Sequence, residues 1–189
     1  MFVDTATLYP ISLADLVLRL AELGMFELVW SDHLLAEVER VLVDCKGLPV
    51  DRARYFCDCI REAFPSGRVP SERYLPLVGS RTGPDSDDHV HSAAAVAGGA
   101  TVVLSADRRG DPPRDTAPAR RRHPDAYLTQ LLKWYPDDVI RVVDEMGSSL
   151  RAPLSRSEVL RRLDKAGLLR FATTAAEIGR SATTESHDT

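Results

Sequence analysis

Residues 83–112 read GPDSDDHVHSAAAVAGGATVVLSADRRGDP, and the order of residue types in this stretch decides the fold class. Asp85, Asp87 and Asp88 come first, an alanine-rich run follows, Gly98 and Gly99 interrupt it, and ATVVLS leads into Asp107. Acids are favourable at a helix N-terminus, a glycine pair stops a helix, and a short β-branched run bounded by such signals reads as a buried strand. The stretch is therefore a helix followed by a strand, with acids at both outer ends.

Upstream the alternation recurs. MFVD is a short strand ending at Asp4. SLADLVLRLAELG is a helix with Ser12 as its expected N-cap, Asp15 in capping-box spacing, Gly24 as its stop, and Leu13, Leu16, Val17, Leu20 and Leu23 as its buried face. FELVWS is a second strand, and Ser31 is placed to cap the helix DHLLAEVERVLVDC, whose Leu34, Leu35, Val38, Val41 and Leu42 recur at helical spacing. VDRARYFCDCIREAF is a further helix ended by PSG, and SERYLPLVG reads as an irregular connection. Strands alternating with helices predict an α/β fold, with a parallel sheet between helices on both faces and ligands bound outside the carboxyl ends of the strands. Asp4, Asp107 and the acids that open the intervening helix would then share one edge of the sheet.

Downstream, GDPPRDTAPARRRHPD is rich in proline and arginine and reads as a loop with room for one short edge strand. It marks a boundary near residue 125. AYLTQLLKWY, DDVIRVVDEM and SRSEVLRRLDKAG are helical, the last with Ser155 and Glu158 in capping-box spacing and Val159, Leu160 and Leu163 as its apolar face. The expected organisation is a domain over 1–125, a helical C-terminal extension over 126–180, and a polar tail over 181–189 expected to be disordered.

Composition narrows the class. Hydrophobic residues make up 44% and charged residues 28% of the chain, as in an ordinary globular protein. No apolar run approaches the ~18 residues of a membrane span, and MFVDTATLYP has no basic segment followed by an apolar one, so a cytoplasmic protein with no membrane partner is expected. The net charge of -4 argues against binding nucleic acid by bulk electrostatics, although a local basic patch is compatible with it. Cys45, Cys57 and Cys59 lack zinc-site spacing and read as reduced thiols.

Carboxylates crowded at one edge repel and raise one another's pKa unless a cation holds them. The cluster therefore predicts a hard divalent cation, Mg²⁺ or Mn²⁺, which takes oxygen ligands and suits phosphodiester hydrolysis. Each acid also has a structural reading: Asp4 as a cap, Asp85 and Asp87 as turn and N-cap residues, and Asp107 as the start of an Asx-turn. Only their joint placement points to a metal. Glu37 and Glu39 lie on opposite margins of their helix's apolar face, and periodicity does not choose between them.

FVDTATLYP, WSDHLLAEVERVL and PDSDDHVHSAAAVAGGATVVLSAD, in this order and at these intervals, resemble PIN-domain ribonucleases of the VapC toxin type, in a branch with a C-terminal helical extension. The resemblance continues through HPDAYLTQLL and LSRSEVLRRLDKAGLLRF and so covers nearly the whole chain. It implies a three-layer α/β/α PIN-like fold and a site of four acids: Asp4, Glu37, Asp88 and Asp107. It thereby selects Glu37 over Glu39. Asp4, Asp88 and Asp107 would be the metal ligands, Glu37 would orient water, and Asp85 and Asp87 would be outer-shell acids. The implied activity is metal-dependent cleavage of single-stranded RNA, the implied protein partner is a cognate antitoxin, and a homodimer is one implied assembly.

This chain departs from the family pattern in three places. Ala6 stands where many relatives carry a polar residue, often Asn, that supports the metal. His89 and His91 fall where the branch often has a histidine, shifted in position; either is a candidate contact to phosphate or metal, or a helix histidine with no ligand role. DRRGDP lacks the aspartate-phenylalanine pair common after the last acid, though Asp111 is close by. Arg108, Arg109, Arg114, Arg120, Arg121 and Arg122 gather beside Asp107; Arg108, Arg109 and Arg121 are candidate RNA contacts, and a solvated basic loop or an antitoxin docking site is the alternative. Two rival functions remain: a PIN-fold binding protein that cuts poorly, and another Mg²⁺-dependent α/β phosphotransfer enzyme. Against the second, DTATL has no D-x-D and no P-loop glycine pattern appears.

Overall fold

Short buried β-branched and aromatic runs become strands. A computed structural model describes residues 1–79, 87–107 and 119–185, with Asp87, Asp88 and residues 179–185 described by backbone alone. Among these residues, β1 (Phe2–Val3), β4 (Val102–Leu104) and β5 (Arg120–Arg122) form one sheet in the order β1-β4-β5, and β2 (Trp30–Ser31) pairs with β3 (Arg68–Val69) in a second. Every pairing is parallel. A parallel bridge between Phe2 and Val29, with the Val29 N–H donating to the Met1 carbonyl at 2.7 Å, joins the two sheets into the neighbour order β3-β2-β1-β4-β5. The protein is thus α/β with a small parallel sheet, although helix predominates.

Helices fill the intervals: α1 (Thr5–Leu8), α2 (Ile11–Glu22), α3 (Asp32–Asp44), α4 (Val50–Ala63), α5 (Ser71–Val78) and α6 (Asp87–Ala97). After β5 come α7 (Pro124–Trp134), α8 (Pro136–Ser148), α9 (Arg156–Lys165) and α10 (Leu169–Glu185). Contacts divide the chain into two compact units. The first takes Met1–Tyr9 and Ala21–Arg122; the second takes Pro10–Leu20 together with the chain from His123 onward.

In the first unit Phe2, Val3, Leu34, Leu35, Val38 and Leu104 are buried core residues. Ser31 caps α3 as its position predicts, its Oγ accepting from the Leu34 N–H at 3.2 Å. Gly99, with φ 67°, ends α6 in the left-handed region that glycine adopts without strain. Gly67 is required by close approach, because a Cβ there would sit 2.0 Å from the Leu28 carbonyl oxygen. Gly67 and Gly98, the latter packed under the Val29 and Val69 side chains, line a cavity of about 360 Å³ beside the amino ends of β2, β3 and β4.

Several local expectations are corrected. SERYLPLV is the helix α5 rather than an irregular connection: Pro76 weakens the helical signal, but the fully buried Tyr74 anchors the segment, its hydroxyl 2.5 Å from His33 Nδ1. α2 begins at Ile11, so Ser12 lies inside the helix rather than at its cap, and Asp15 pairs with Arg19 at 2.8 Å instead of completing a capping box. Leu23 is 40% exposed, because α2 ends at Glu22 and Leu23 lies just past it, and Val41 is half-buried. Cys57 is buried, donates to the Leu35 carbonyl and has its thiol pKa pushed up by burial to about 11, which disfavours the nucleophilic thiolate.

The second unit is helical. Leu128, Leu132, Val139, Val143, Leu163 and Phe171 are fully buried, each contributing roughly 1.5–3 kcal/mol by leaving water. Its polar residues serve as caps. Asp125 accepts from the Phe171 N–H on one oxygen at 2.9 Å and from the Arg170 N–H on the other at 3.3 Å, so it caps α10 from the first turn of α7. Glu158 accepts from the Ser155 N–H at 2.9 Å and from the Ser155 hydroxyl at 2.7 Å, which realises the expected capping box. α10 runs to Glu185, into the segment read from sequence as a tail, and residues 186–189 lie outside the described residues.

Candidate active site

The β1–β4 register aligns Phe2 with Val103 and Val3 with Leu104, so Asp4 and Ser105 follow as neighbours at the carboxyl ends of the two strands. The Asp4 N–H donates to the Leu104 carbonyl at 2.9 Å, and the Ser105 hydroxyl donates to Asp4 Oδ2 at 2.5 Å. Successive strands lie on one side of β1, and β4 and β5 on the other, so this crevice is the point where the winding of the sheet reverses. Ligands bind at such points in open parallel sheets.

Asp4 occupies the N-cap position of α1, yet its side chain makes no capping bond. Its carbonyl accepts from the Thr7 and Leu8 N–H groups instead. Ser105 holds the carboxylate at Oδ2, and Oδ1 takes no hydrogen bond from the described residues.

Glu37 reaches the same neighbourhood from α3. Its Oε2 accepts from the Thr5 hydroxyl at 2.7 Å, and Thr5 directly follows Asp4. His91 Nε2, from α6, lies 2.6 Å from the same oxygen. The bond to His91 holds the Glu37 carboxyl below the ordinary glutamate range, against the opposing effect of partial burial and with help from Thr5. Glu39 instead faces Arg54 of α4, 3.6 Å away.

Asp107 is exposed and lies on the segment just past β4. Its N–H donates to Ser105 Oγ at 3.3 Å, and its carbonyl accepts from Arg121 Nη2. The same Arg121 nitrogen donates to Ser105 Oγ at 2.9 Å. Ser105 thus links Asp4, the Asp107 backbone and the edge strand β5. Arg121, a candidate RNA contact, is turned inward for these bonds, whereas its strand neighbours Arg120 and Arg122 are exposed.

The third acid, Asp88, belongs to the first turn of α6, three positions before His91; the side chains of Asp87 and Asp88 are not described. Asp85, Arg108 and Arg109 lie outside the described residues. Among the described residues no group of three His, Cys, Asp or Glu side chains is arranged to hold a metal ion.

Two residues of this network, Thr5 and Ser105, are not singled out by the sequence reading, which names His91 only together with His89. Thr5 and Ser105 carry no charge to mark them out; only their positions, directly after Asp4 and directly after β4, hint at a role. His91 lies one helical turn after Asp88, which is the signal that could have singled it out from His89.

A parallel α/β unit with acids and hydroxyls gathered at its strand-reversal crevice, followed in sequence by a helical unit, is the class that fold and site define. Residues 124–177, α7 through most of α10, match the family model described as VapC50 C-terminal domain, which suggests a member of the VapC family. No curated protein and no solved structure gives a match. Among the described residues, no helix is long and apolar enough to cross a membrane.

Proposed function

We propose that the protein is a metal-dependent endoribonuclease, the toxin of a toxin-antitoxin pair, whose first unit is a three-layer α/β/α PIN-like domain. The observation that carries this reading is the pairing of Asp4 with Ser105 at the carboxyl ends of β1 and β4, with Thr5 tying Glu37 to the same crevice. The VapC50 C-terminal match lends independent support, because it falls in the other unit. The donor chemistry fits a hard cation: carboxylate oxygens, one of them, on Asp4, unengaged among the described residues.

Asp4, Asp88 and Asp107 would hold Mg²⁺ or Mn²⁺, which when bound neutralises phosphate charge and acidifies water. Glu37, whose donors favour the ionised form, accepts a hydrogen bond from the attacking water and orients it toward phosphorus. Ser105 fixes the Asp4 carboxylate, and Arg121 fixes Ser105. Helical spacing puts Asp88 on the same side of α6 as His91, and Asp85 and Asp87 would stand outside the ligand shell. Arg108, Arg109, Arg120 and Arg122 would contact RNA phosphates, and an antitoxin would regulate the site.

The test is incubation of the purified full chain with RNA and Mg²⁺ or Mn²⁺, with and without EDTA, followed by sequencing of the RNA ends. Defined new ends that vanish with EDTA support the reading; intact RNA under both metals removes it. A second reading, a PIN-fold protein that binds RNA or antitoxin but cuts poorly, is favoured by Ala6, which offers no polar atom where the family pattern has one. A metal titration separates the two, since the poor cutter would show weak or absent binding.

A further inference from the structure

Glu37 is held at one oxygen by donors from two different elements. Both of its donors, His91 Nε2 at 2.6 Å and Thr5 Oγ1 at 2.7 Å, fall on Oε2. Among the described residues Oε1 faces only the Arg40 guanidinium, 4.0 Å away and 63% exposed. A carboxylate held by one hydrogen bond can swing about it; two donors arriving from different elements remove that freedom and fix the direction of the other oxygen.

His91 is itself well placed to act as such a clamp. Its side chain is only 14% exposed, and its ring lies 6.3 Å from that of Phe2, a residue of β1 that is 1% exposed. The core strand thus backs the imidazole, and the imidazole backs Glu37. A neutral ring with its proton on Nε2 is sufficient for the bond, and protonation strengthens it.

We propose that His91 is a positioning residue for RNA cleavage, clamping Oε2 of Glu37 together with Thr5 so that Oε1 is presented to the attacking water. This rests on the ribonuclease reading above. His91 acts through Glu37, touching neither substrate nor metal, and the depressed pKa of Glu37 agrees with a donor that favours the ionised form.

The test compares full-length wild type with His91→Ala, His91→Gln, Glu37→Gln and the double variant His91→Ala/Glu37→Gln, in metal-dependent cleavage of an RNA oligonucleotide and in a ¹³C titration of the Glu37 carboxyl. His91→Ala should lower kcat by about 10- to 100-fold, the usual effect of losing an outer-sphere partner, with little change in KM. His91→Gln, whose amide can reach the same oxygen, should recover most of that loss. The double variant should be no slower than Glu37→Gln, because the two residues act as a unit. His91→Asn, polar but too short to reach, replaces the alanine variant should that fail to fold.

Wild-type kcat in His91→Ala, or a double variant slower than Glu37→Gln by the full His91→Ala factor, would overturn the proposal. If the wild type cuts no RNA, the ribonuclease reading fails by itself, and the carboxyl titration still decides the clamp. A Glu37 that titrates higher in His91→Ala than in wild type supports the clamp, and identical curves overturn it.

Discussion

Asp4 and Asp125 are the same side chain used in opposite ways. Asp125, in the helical unit, spends both oxygens on backbone N–H groups of α10 and is 9% exposed. Asp4, in the sheet-containing unit, receives one hydroxyl and keeps an oxygen unengaged among the described residues. The second unit uses its acids to close helix ends: Asp125 on α10, Glu158 on α9, and Asp144 paired with Arg156 at 2.6 Å. The first unit brings acids from distant parts of the chain to one sheet edge and braces them with neutral donors such as Thr5 and Ser105. An acid whose oxygens are exhausted by the fold is structural, and one braced but unsaturated is available to a ligand.

The sharpest way to break this contrast is to neutralise one acid of each kind. Asp4→Asn, which removes charge with little change of shape, should reduce RNA cleavage on the order of 100-fold or more while leaving the urea midpoint nearly unchanged. Asp125→Ala should do the reverse, costing about 1–3 kcal/mol of stability through two uncapped N–H groups, with cleavage per folded molecule intact. Urea unfolding and RNA turnover measured on both variants check the pair. If Asp4→Asn unfolds the protein, or Asp125→Ala abolishes cleavage while folded, the division is wrong.

A smaller effect sharpens the role of the braces. Ser105→Ala frees Asp4 Oδ2 and removes one of the two acceptors of Arg121, and should slow cleavage about 10-fold, the lower end of outer-sphere effects. Glu37 adds a pH signature. Its folded pKa lies below the unfolded value, so its contribution to stability is complete above the ordinary glutamate pKa of ~4.3 and is lost as pH falls through the folded pKa. Urea midpoints across acid pH should show this loss in wild type and less of it in Glu37→Gln. The smallest effect belongs to Glu39→Gln, which weakens the pair with the exposed Arg54 and should shift stability by less than about 0.5 kcal/mol and leave turnover unchanged.

Alternation of helix and strand made the α/β class and the common edge of Asp4 and Asp107 readable from sequence, because buried β-branched runs, Ser31 and Gly99 are strong local signals. The capping box at Ser155 was legible for the same reason. Helix α5 was not, because Pro76 speaks against a helix and only the burial of Tyr74 answers it. The grouping of Pro10–Leu20 with the C-terminal helices was equally hidden, since an apolar stripe announces burial without naming its partner. In the site, the acids stood out through their charge, whereas Thr5, Ser105 and His91 acquire their roles only when strand register and helix packing bring them to a carboxylate. The same grouping makes point substitution a cleaner probe than truncation near Pro124, which would leave Leu13, Leu16, Val17 and Leu20 without their own unit.

The central claim, that the edge carrying Asp4 binds a divalent cation, is tested most directly by Mn²⁺ binding to the full chain, followed by electron paramagnetic resonance. Wild type should show saturable binding that Mg²⁺ displaces, and Asp4→Asn, still folded, should lose it. Equal Mn²⁺ binding by the two proteins, or none by wild type, would contradict the account.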